Sequence, residues 1–309
     1  MIPGHTPAGF SGVNVPRMVE IPETSPAPAS TPFGRDRLVQ GIIEPEEVRI
    51  LAVDATATAF ESEYRHLSGR CSAEIVADLC AGAALLGADL KNDERLSFQA
   101  RLSGPIGGFL CEIDRDLNFR GSTHKKTVPD LDAGSGRIAE AMGSGSLQVL
   151  RSTAATVVYQ GITTMEAGSV AADFERHLSE SQQVASALVL RHGYDRQLVS
   201  AHGLLMQALP SATESGFERV ATEIRRRADA LAFWPRDPEA LLAAVCSGFG
   251  LRILGSREVR FRCRCNRERV VDMLRGMGPP EDGSGWPEVS RVGCAFCGDV
   301  FEIPPAELT

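Results

Sequence analysis

The chain lacks the signatures of a membrane protein, an exported protein or a conventional enzyme. Among its 309 residues there is no run of 18 or more apolar residues, so no membrane span is expected. The first 15 residues carry neither a basic flank nor an apolar block, so no secretory signal is visible. No G-x-x-x-x-G-K-S/T loop is present to cradle ATP phosphates, and neither H-E-x-x-H nor G-x-S-x-G occurs. Gly143-Ser144-Gly145 reads as a turn rather than a dinucleotide fingerprint. Positive charge is not in excess either. Against 40 Asp+Glu there are 32 Lys+Arg, a formal charge of −8, which disfavours a whole-chain nucleic-acid binder. With 43% hydrophobic and 23% charged residues, the expectation is an acidic, globular, cytoplasmic protein that is not an enzyme.

Cysteine is what the chain does have. Four of its eight cysteines form two close pairs, Cys263/Cys265 and Cys294/Cys297, a C-x-C and a C-x-x-C set with 28 residues between them. Four soft sulfur donors in two pairs are what a tetrahedral zinc ion needs, one ion per chain. The same thiols are two potential disulfides, so the spacing leaves a static zinc module and a redox device both open. Paired cysteines without a secretion signal point to a reducing compartment. Arg257, Arg260, Arg262, Arg264, Arg267 and Arg269 crowd the first pair, and Cys265 adjoins a predicted helix N-terminus. Both features favour thiolates, although the arginines equally balance the −2 charge of a zinc–tetrathiolate. A module of this size buries little apolar surface, and a structural zinc supplies on the order of 10 to 16 kcal/mol of apparent binding energy. A disulfide within C-x-C closes a small, strained, readily reduced ring. Cys71, Cys80, Cys111, Cys246, His124 and His202 have no such partner spacing and read as structural.

The fold class expected is α+β: an N-terminal sheet-and-helix domain, a helical linker and a small zinc-binding module. Residues 1–35, rich in proline, read as a disordered extension. The α+β core is expected over 36–210, the helical linker over 211–255 and the cysteine module over 256–309. In the core, Leu96–Leu102 alternates as a strand, and Phe109–Ile113 with Leu117–Phe119 reads as a hairpin. Ser72 is the expected N-cap of a helix carrying Ile75, Val76, Leu79, Leu86 and Leu90. Strands are expected at Ser146–Leu150, Ala155–Ile162, Ala185–Arg191 and Leu198–Ala208, with a helix through Val170, Phe174 and Leu178. In the linker, Phe217, Val220, Ile224, Ala228 and Leu231 form a helical stripe opposed by charge, and Asp237-Pro238 opens a second helix stopped near Gly248. The stripe reads either as a packed subdomain face or as a surface that can be uncovered. In the module, Asn266 caps a helix to Arg275 closed by Gly276, and a Gly/Pro connector runs over 276–285.

Phe261-Arg262-Cys263-Arg264-Cys265-Asn266-Arg267-Glu268-Arg269 with Cys294-Ala295-Phe296-Cys297 closely resembles the heat-shock protein 33 family of bacterial redox-regulated chaperones, whose pattern is F-x-C-x-C-S-x-E-R and then C-x-x-C. Gly104-Pro105-Ile106, Phe119-Arg120-Gly121, Tyr159-Gln160-Gly161, Ser179-Glu180-Ser181-Gln182 and Gly203 to Pro210 resemble other family segments in colinear order. Asn266 stands where the family has Ser, His202 where it has Gly, and the Gly/Pro connector replaces a more acidic helical stretch. The resemblance implies an ATP-independent holdase, inactive while Cys263, Cys265, Cys294 and Cys297 hold Zn²⁺. It further implies that oxidation forms Cys263–Cys265 and Cys294–Cys297 disulfides, releases zinc and destabilises the linker at 211–255. Unfolding client proteins then bind, and the oxidised form becomes a homodimer; Phe217, Val220, Ile224 and Leu231 are the candidate client surface. Nucleic acid and membrane are not expected partners. The alternatives are a constitutive zinc module that binds a partner or nucleic acid through its arginines, and a thiol–disulfide oxidoreductase using Cys294 and Cys297.

Overall fold

The computed structural model describes residues 33–308 except 135, 167 and 281–284. The expected 1–35 extension therefore lies outside the described residues apart from its last three, and part of the 276–285 connector does too. In chain order the elements are strands β1 (Asp36–Ile43) and β2 (Val48–Asp54), helices α1 (Thr56–His66) and α2 (Arg70–Leu86), then strands β3 (Arg95–Leu102), β4 (Gly108–Asp114) and β5 (Asn118–Thr123). Short helices α3 (Pro129–Asp132) and α4 (Ile138–Met142) lead to β6 (Gly145–Ser152), β7 (Val157–Met165), α5 (Val170–His177), β8 (Ser186–Asp195) and β9 (Gln197–Ala208). Helices α6 (Glu214–Ala230) and α7 (Pro238–Val245) precede β10 (Leu251–Phe261), α8 (Arg267–Met277), β11 (Ser290–Gly293) and β12 (Val300–Ile303). The fold is α+β, as expected.

Ten strands form one sheet in the order β7-β6-β3-β4-β5-β10-β1-β2-β9-β8, and β11-β12 is a separate pair. Strand β10 joins the two halves, antiparallel to β1 and, at Arg260 and Phe261, parallel to β5. Helix α2 is buried along almost its whole length against both halves, in a core that includes Ile75, Leu79, Phe98, Phe109, Phe119 and Phe174. Among the described residues one helical stretch, Arg70–Asp89, is long and apolar enough to cross a membrane, and 83% of its most apolar 18 residues are buried inside the protein. It is the core helix of this fold.

Strand β2 is apolar on both faces. Leu51 and Val53 enter the core beneath α2, whereas Val48, Ile50 and Ala52 face the other way. That second face, with Val39, Ile43, Leu204 and Met206, is covered by α6 and α7 through Phe217, Val220, Ile224, Leu241, Leu242 and Val245. Alternation puts successive strand residues on opposite faces, so the sheet needs two covering layers. Thr213 caps α6 by accepting from Gly216 N, and Asp237 caps α7 by accepting from Glu239 N.

Some local readings shift. Helix α2 starts at Arg70 rather than at a Ser72 cap, because Asp132 of α3 accepts from Cys71 N at 2.9 Å; Ser72 instead meets the Thr123 hydroxyl at 2.5 Å. Leu231 is extended rather than helical, because the Trp234 indole donates to the Ala228 carbonyl at 3.0 Å and ends α6. Helix α8 runs past Gly276 and closes at Gly278, whose φ of 76° suits glycine. Strand β10 crosses position 255, so the expected boundary between linker and cysteine module falls inside a strand.

Candidate metal centre

The four paired cysteines are brought together by two elements and a turn. Cys263 and Cys265 follow β10 and precede the Asn266 cap of α8, where the Asn266 side chain accepts from Arg269 N at 2.9 Å. Cys294 and Cys297 lie in the tight turn between β11 and β12, held by Gly298 N to Cys294 O and Cys294 N to Asp299 O, both 2.8 Å. All four Sγ atoms lie within 4.8 Å of one another. Cys263 approaches Cys294 at 3.7 Å and Cys265 approaches Cys297 at 3.4 Å. Four sulfurs about 2.3 Å from one tetrahedral ion stand roughly 3.8 Å apart, so this donor set fits a single soft or borderline divalent metal. The thiols share protons unequally. Hydrogen bonds from Cys294 and Cys297 pull Cys263 down, and bonds with Cys263 and Cys294, together with burial, push Cys297 up. The remaining cysteines, Cys71, Cys80, Cys111 and Cys246, are buried singly, and burial raises all four thiols.

Around the cluster only a small core forms, of Val270, Val271, Leu274, Ile303 and Leu308 with Trp286, Val292 and Phe301 at its rim. A unit with so small an apolar core is of the kind that a bound metal stabilises.

The turn between Cys294 and Cys297 is docked on the main domain. The Ala295 carbonyl accepts from the Ser122 hydroxyl of β5 at 2.7 Å, and the Phe296 carbonyl meets His66 Nε2 at 3.1 Å. Burial, with the nearby Lys126 charge, lowers His66 to about 4, so at neutral pH the ring is uncharged and Nε2 carries the donated proton. The Phe296 ring lies 3.9 Å from the Arg120 guanidinium, which also reaches Cys263 Sγ at 3.8 Å and Glu112 at 2.6 Å. Arg264 bonds the same Glu112, and Arg65 meets Asp299 at 3.3 Å. Gly298 has φ +77°, and a Cβ there would lie 2.9 Å from the Arg65 carbonyl. Gly121 of β5 is required by a closer approach still, 2.4 Å from the Cys111 Cβ.

The arginines near the first pair are largely engaged by the protein. Arg257 donates to Ala88 O and Arg115 O, Arg260 to Asn118, Arg264 to Glu112, Arg267 to Glu307 and Arg269 to Arg264 O. That distribution argues against a free phosphate-binding patch. Phe217, Val220 and Ile224 are buried on the inner face of α6, against the sheet, and Leu231 is half-buried just beyond its end. The docking residues His66, Glu112 and Ser122 and strands β1 and β2 of the face under α6 gave no sequence signal. Arg120 lay inside a recognised segment without a role.

The Hsp33 protein family model matches residues 36–304. The "33 kDa chaperonin" of Symbiobacterium thermophilum is 30% identical over 286 residues, covering 88% of this chain and 96% of that protein. The "33 kDa chaperonin" of Thermus thermophilus is 29% identical over 298 residues, covering 88% and 85%. The crystal structure of the 33 kDa chaperonin from Thermotoga maritima has the same fold, with a TM-score of 0.73, 19% identity, and 89% and 96% of the two chains covered. With the family model spanning nearly all described residues, the chain belongs to the Hsp33 family.

Proposed function

We propose that this protein is a redox-regulated, ATP-independent holdase of the bacterial cytoplasm. The family supports a chaperone role, and the four-thiol cluster supports metal binding at Cys263, Cys265, Cys294 and Cys297. The ion proposed is zinc, one per chain, because four thiolates in two short chelates favour it. Bound there, zinc would cross-link the module and hold the thiols unreactive. The module's contacts with β5 and α1 then keep the end of β10 in place.

Oxidation by peroxide consumes the ligands. In each pair the two thiolates lose two electrons, an S–S bond forms, the O–O bond breaks, and two protons are taken up to give two waters. The disulfides proposed are Cys263–Cys265 and Cys294–Cys297. A disulfide cannot also donate both sulfurs as thiolates, so metal is released and the small module unfolds. The observation that carries the reading is the placement of α6 and α7. They cover an apolar sheet face and are followed directly by β10, which ends two residues before Cys263. Losing the module loosens β10 and with it the cover. The client surface proposed is Phe217, Val220, Ile224 and Leu231 together with the sheet face beneath them, and the oxidised form is proposed to dimerise.

The test is peroxide treatment of zinc-loaded protein under mildly unfolding conditions, with free zinc and client aggregation followed together. Zinc release with a gain in aggregation suppression is expected. Release without that gain would favour a constitutive zinc module.

A further inference from the structure

A cavity of about 380 Å³ lies where the C-terminal ends of α2 and α5 meet strands β3, β6 and β7 on one side and β9 on the other. Its floor is apolar and buried, formed by Leu85, Leu96, Val149, Leu178 and Leu205. Two recognised segments that play no part at the cysteines meet here, Tyr159-Gln160-Gly161 and Ser179 to Gln182. Val158 is the extra residue of a bulge opposite Arg151/Ser152, so it and Tyr159 both line the cavity; bulges re-aim side chains and recur beside functional sites. Helix α5 ends in a π-turn, Leu178–Gln182, which sets Leu178 and Ser181 on the wall. Such turns are also frequent at functional sites. Gly161 leaves no room for a side chain, since a Cβ there would lie 2.1 Å from the Tyr159 hydroxyl and 2.9 Å from His177 Cε1.

Buried donors without acceptors gather at this cavity. Among the described residues Arg151 Nε and His177 Nε2, both on lining residues, have no hydrogen-bond partner, nor do Arg49 Nε and Nη2 behind the wall. Arg151 gives Nη2 to Glu94 at 2.6 Å. Arg49 spends Nη1 on the lining residues Asp89 and Gln207. His177 is 1% exposed, and the Thr163 and Ser181 hydroxyls reach its Nδ1 at 3.1 and 3.4 Å. Burial lowers His177 below the ordinary histidine value, so the ring is uncharged at neutral pH. With Nδ1 accepting, the ring proton sits on Nε2. A buried donor without an acceptor is costly, and protein interiors rarely keep one. Asp89, the acid on the wall, is already paired with Arg49.

We propose that this cavity binds a small amphipathic carboxylic acid, its carboxylate taken by Arg151 and His177 and its apolar chain laid on Leu85, Leu96, Val149 and Leu205. Charge-assisted bonds from a guanidinium suit a carboxylate, and the imidazole N–H supplies a second donor. Water alone suits the cavity poorly, because the apolar floor offers it no partners. An amine would meet donors where it needs acceptors. The volume falls within the range of about 300 to 1,000 Å³ typical of small-molecule sites. No cysteine of the metal cluster lines the cavity, and the proposal depends neither on the chaperone reading nor on the redox switch.

Octanoate is titrated into full-length, reduced, metal-loaded protein, with calorimetry giving the stoichiometry and amide and histidine-ring NMR spectra locating the site. Saturable binding of one octanoate per chain is expected, with shifts at 149–161 and 177–184 and at the His177 ring. Octanol and octylamine, which carry the same chain on a neutral or cationic head, bind about ten-fold more weakly or less. Arg151→Lys keeps the charge but lacks Nε, and Val158→Trp narrows the mouth from a position that is 51% exposed. Each weakens octanoate binding about ten-fold, and Val158→Trp leaves the melting temperature of the free protein unchanged. No saturable binding, shifts confined to other residues, or equal affinity for octanol overturns the proposal. So does octanoate binding that both variants leave unchanged. Binding to phosphatidylglycerol vesicles without binding of free octanoate overturns it in favour of a membrane lipid.

Discussion

Ile224→Ala separates the cover from the metal. Ile224 is fully buried between α6 and the β1-β2-β9 face, far in sequence from every cysteine ligand. Truncating a buried isoleucine to alanine costs about 2 to 5 kcal/mol, transfer and cavity together. If that loss falls on the docking of α6 rather than on the core beneath α2, the uncovered state rises by roughly thirty-fold to several-thousand-fold. The assay uses reduced, metal-loaded protein. Exchange of the α6 amides is measured beside suppression of aggregation of a thermally unfolding client, with metal content checked before and after. The expected outcome is fast α6 exchange, full metal retention and holdase activity without oxidant. Arg226→Ala, on the solvent face of the same helix and paired only with Glu223, is the control and changes little. Fast α6 exchange with metal retained and no holdase activity would refute the reasoning, because the uncovered face would then not be what binds clients.

Other predictions follow from the docked turn and from the linker anchor. Phe296→Ala removes the ring beneath Arg120 and should cost about 1 to 2 kcal/mol of docking, read as several-fold faster metal loss to a chelator; unchanged loss would mean docking and metal retention are not linked. Gly298→Ala, at φ +77° and against the Arg65 carbonyl, should act in the same direction by about 1 to 3 kcal/mol, and a variant with wild-type chelator kinetics would contradict the contact. Cys294→Ser should abolish stoichiometric metal binding and leave α8 unfolded by circular dichroism, since the core of the module is too small alone. Arg236, between α6 and α7, bridges buried Asp54 at 2.7 Å and Asp36 at 3.3 Å. Burial, then the Asp54 charge, raises Asp36 to about 7. A carboxyl raised in the folded state contributes stability that is full below its unfolded value and is lost as pH climbs through about 7. Stability should therefore fall from pH 5 to 8 through this group. Arg236→Met should enlarge the fall, and parallel urea midpoints for the two proteins across that range would rule the pairing out.

Periodicity and spacing carried much of the fold. The runs read as strands that became β3, β4, β6, β8 and β9, the apolar stripe of α6, the caps of α7 and α8, and the four cysteines are all local patterns. What stayed hidden depends on distant partners. The start of α2 is set by Asp132, 61 positions from Cys71, and the metal turn docks through His66 and Ser122, 230 and 173 positions from their partners. Strand β10 was missed because Val259 alone along it is buried, which leaves no alternation to read. Strand β2, apolar on both faces, has no alternation either, so the second layer under α6 was not visible from it.

The central claim is that one set of thiols holds metal and silences the client surface. Counting free thiols and bound zinc in the same sample as holdase activity, at steps of peroxide, tests it most directly. The predicted result is that loss of four thiols per chain, release of one zinc and the rise of activity coincide, while Cys71, Cys80, Cys111 and Cys246 stay reduced. Activity that rises before the zinc leaves, or zinc that leaves without activity, would contradict it.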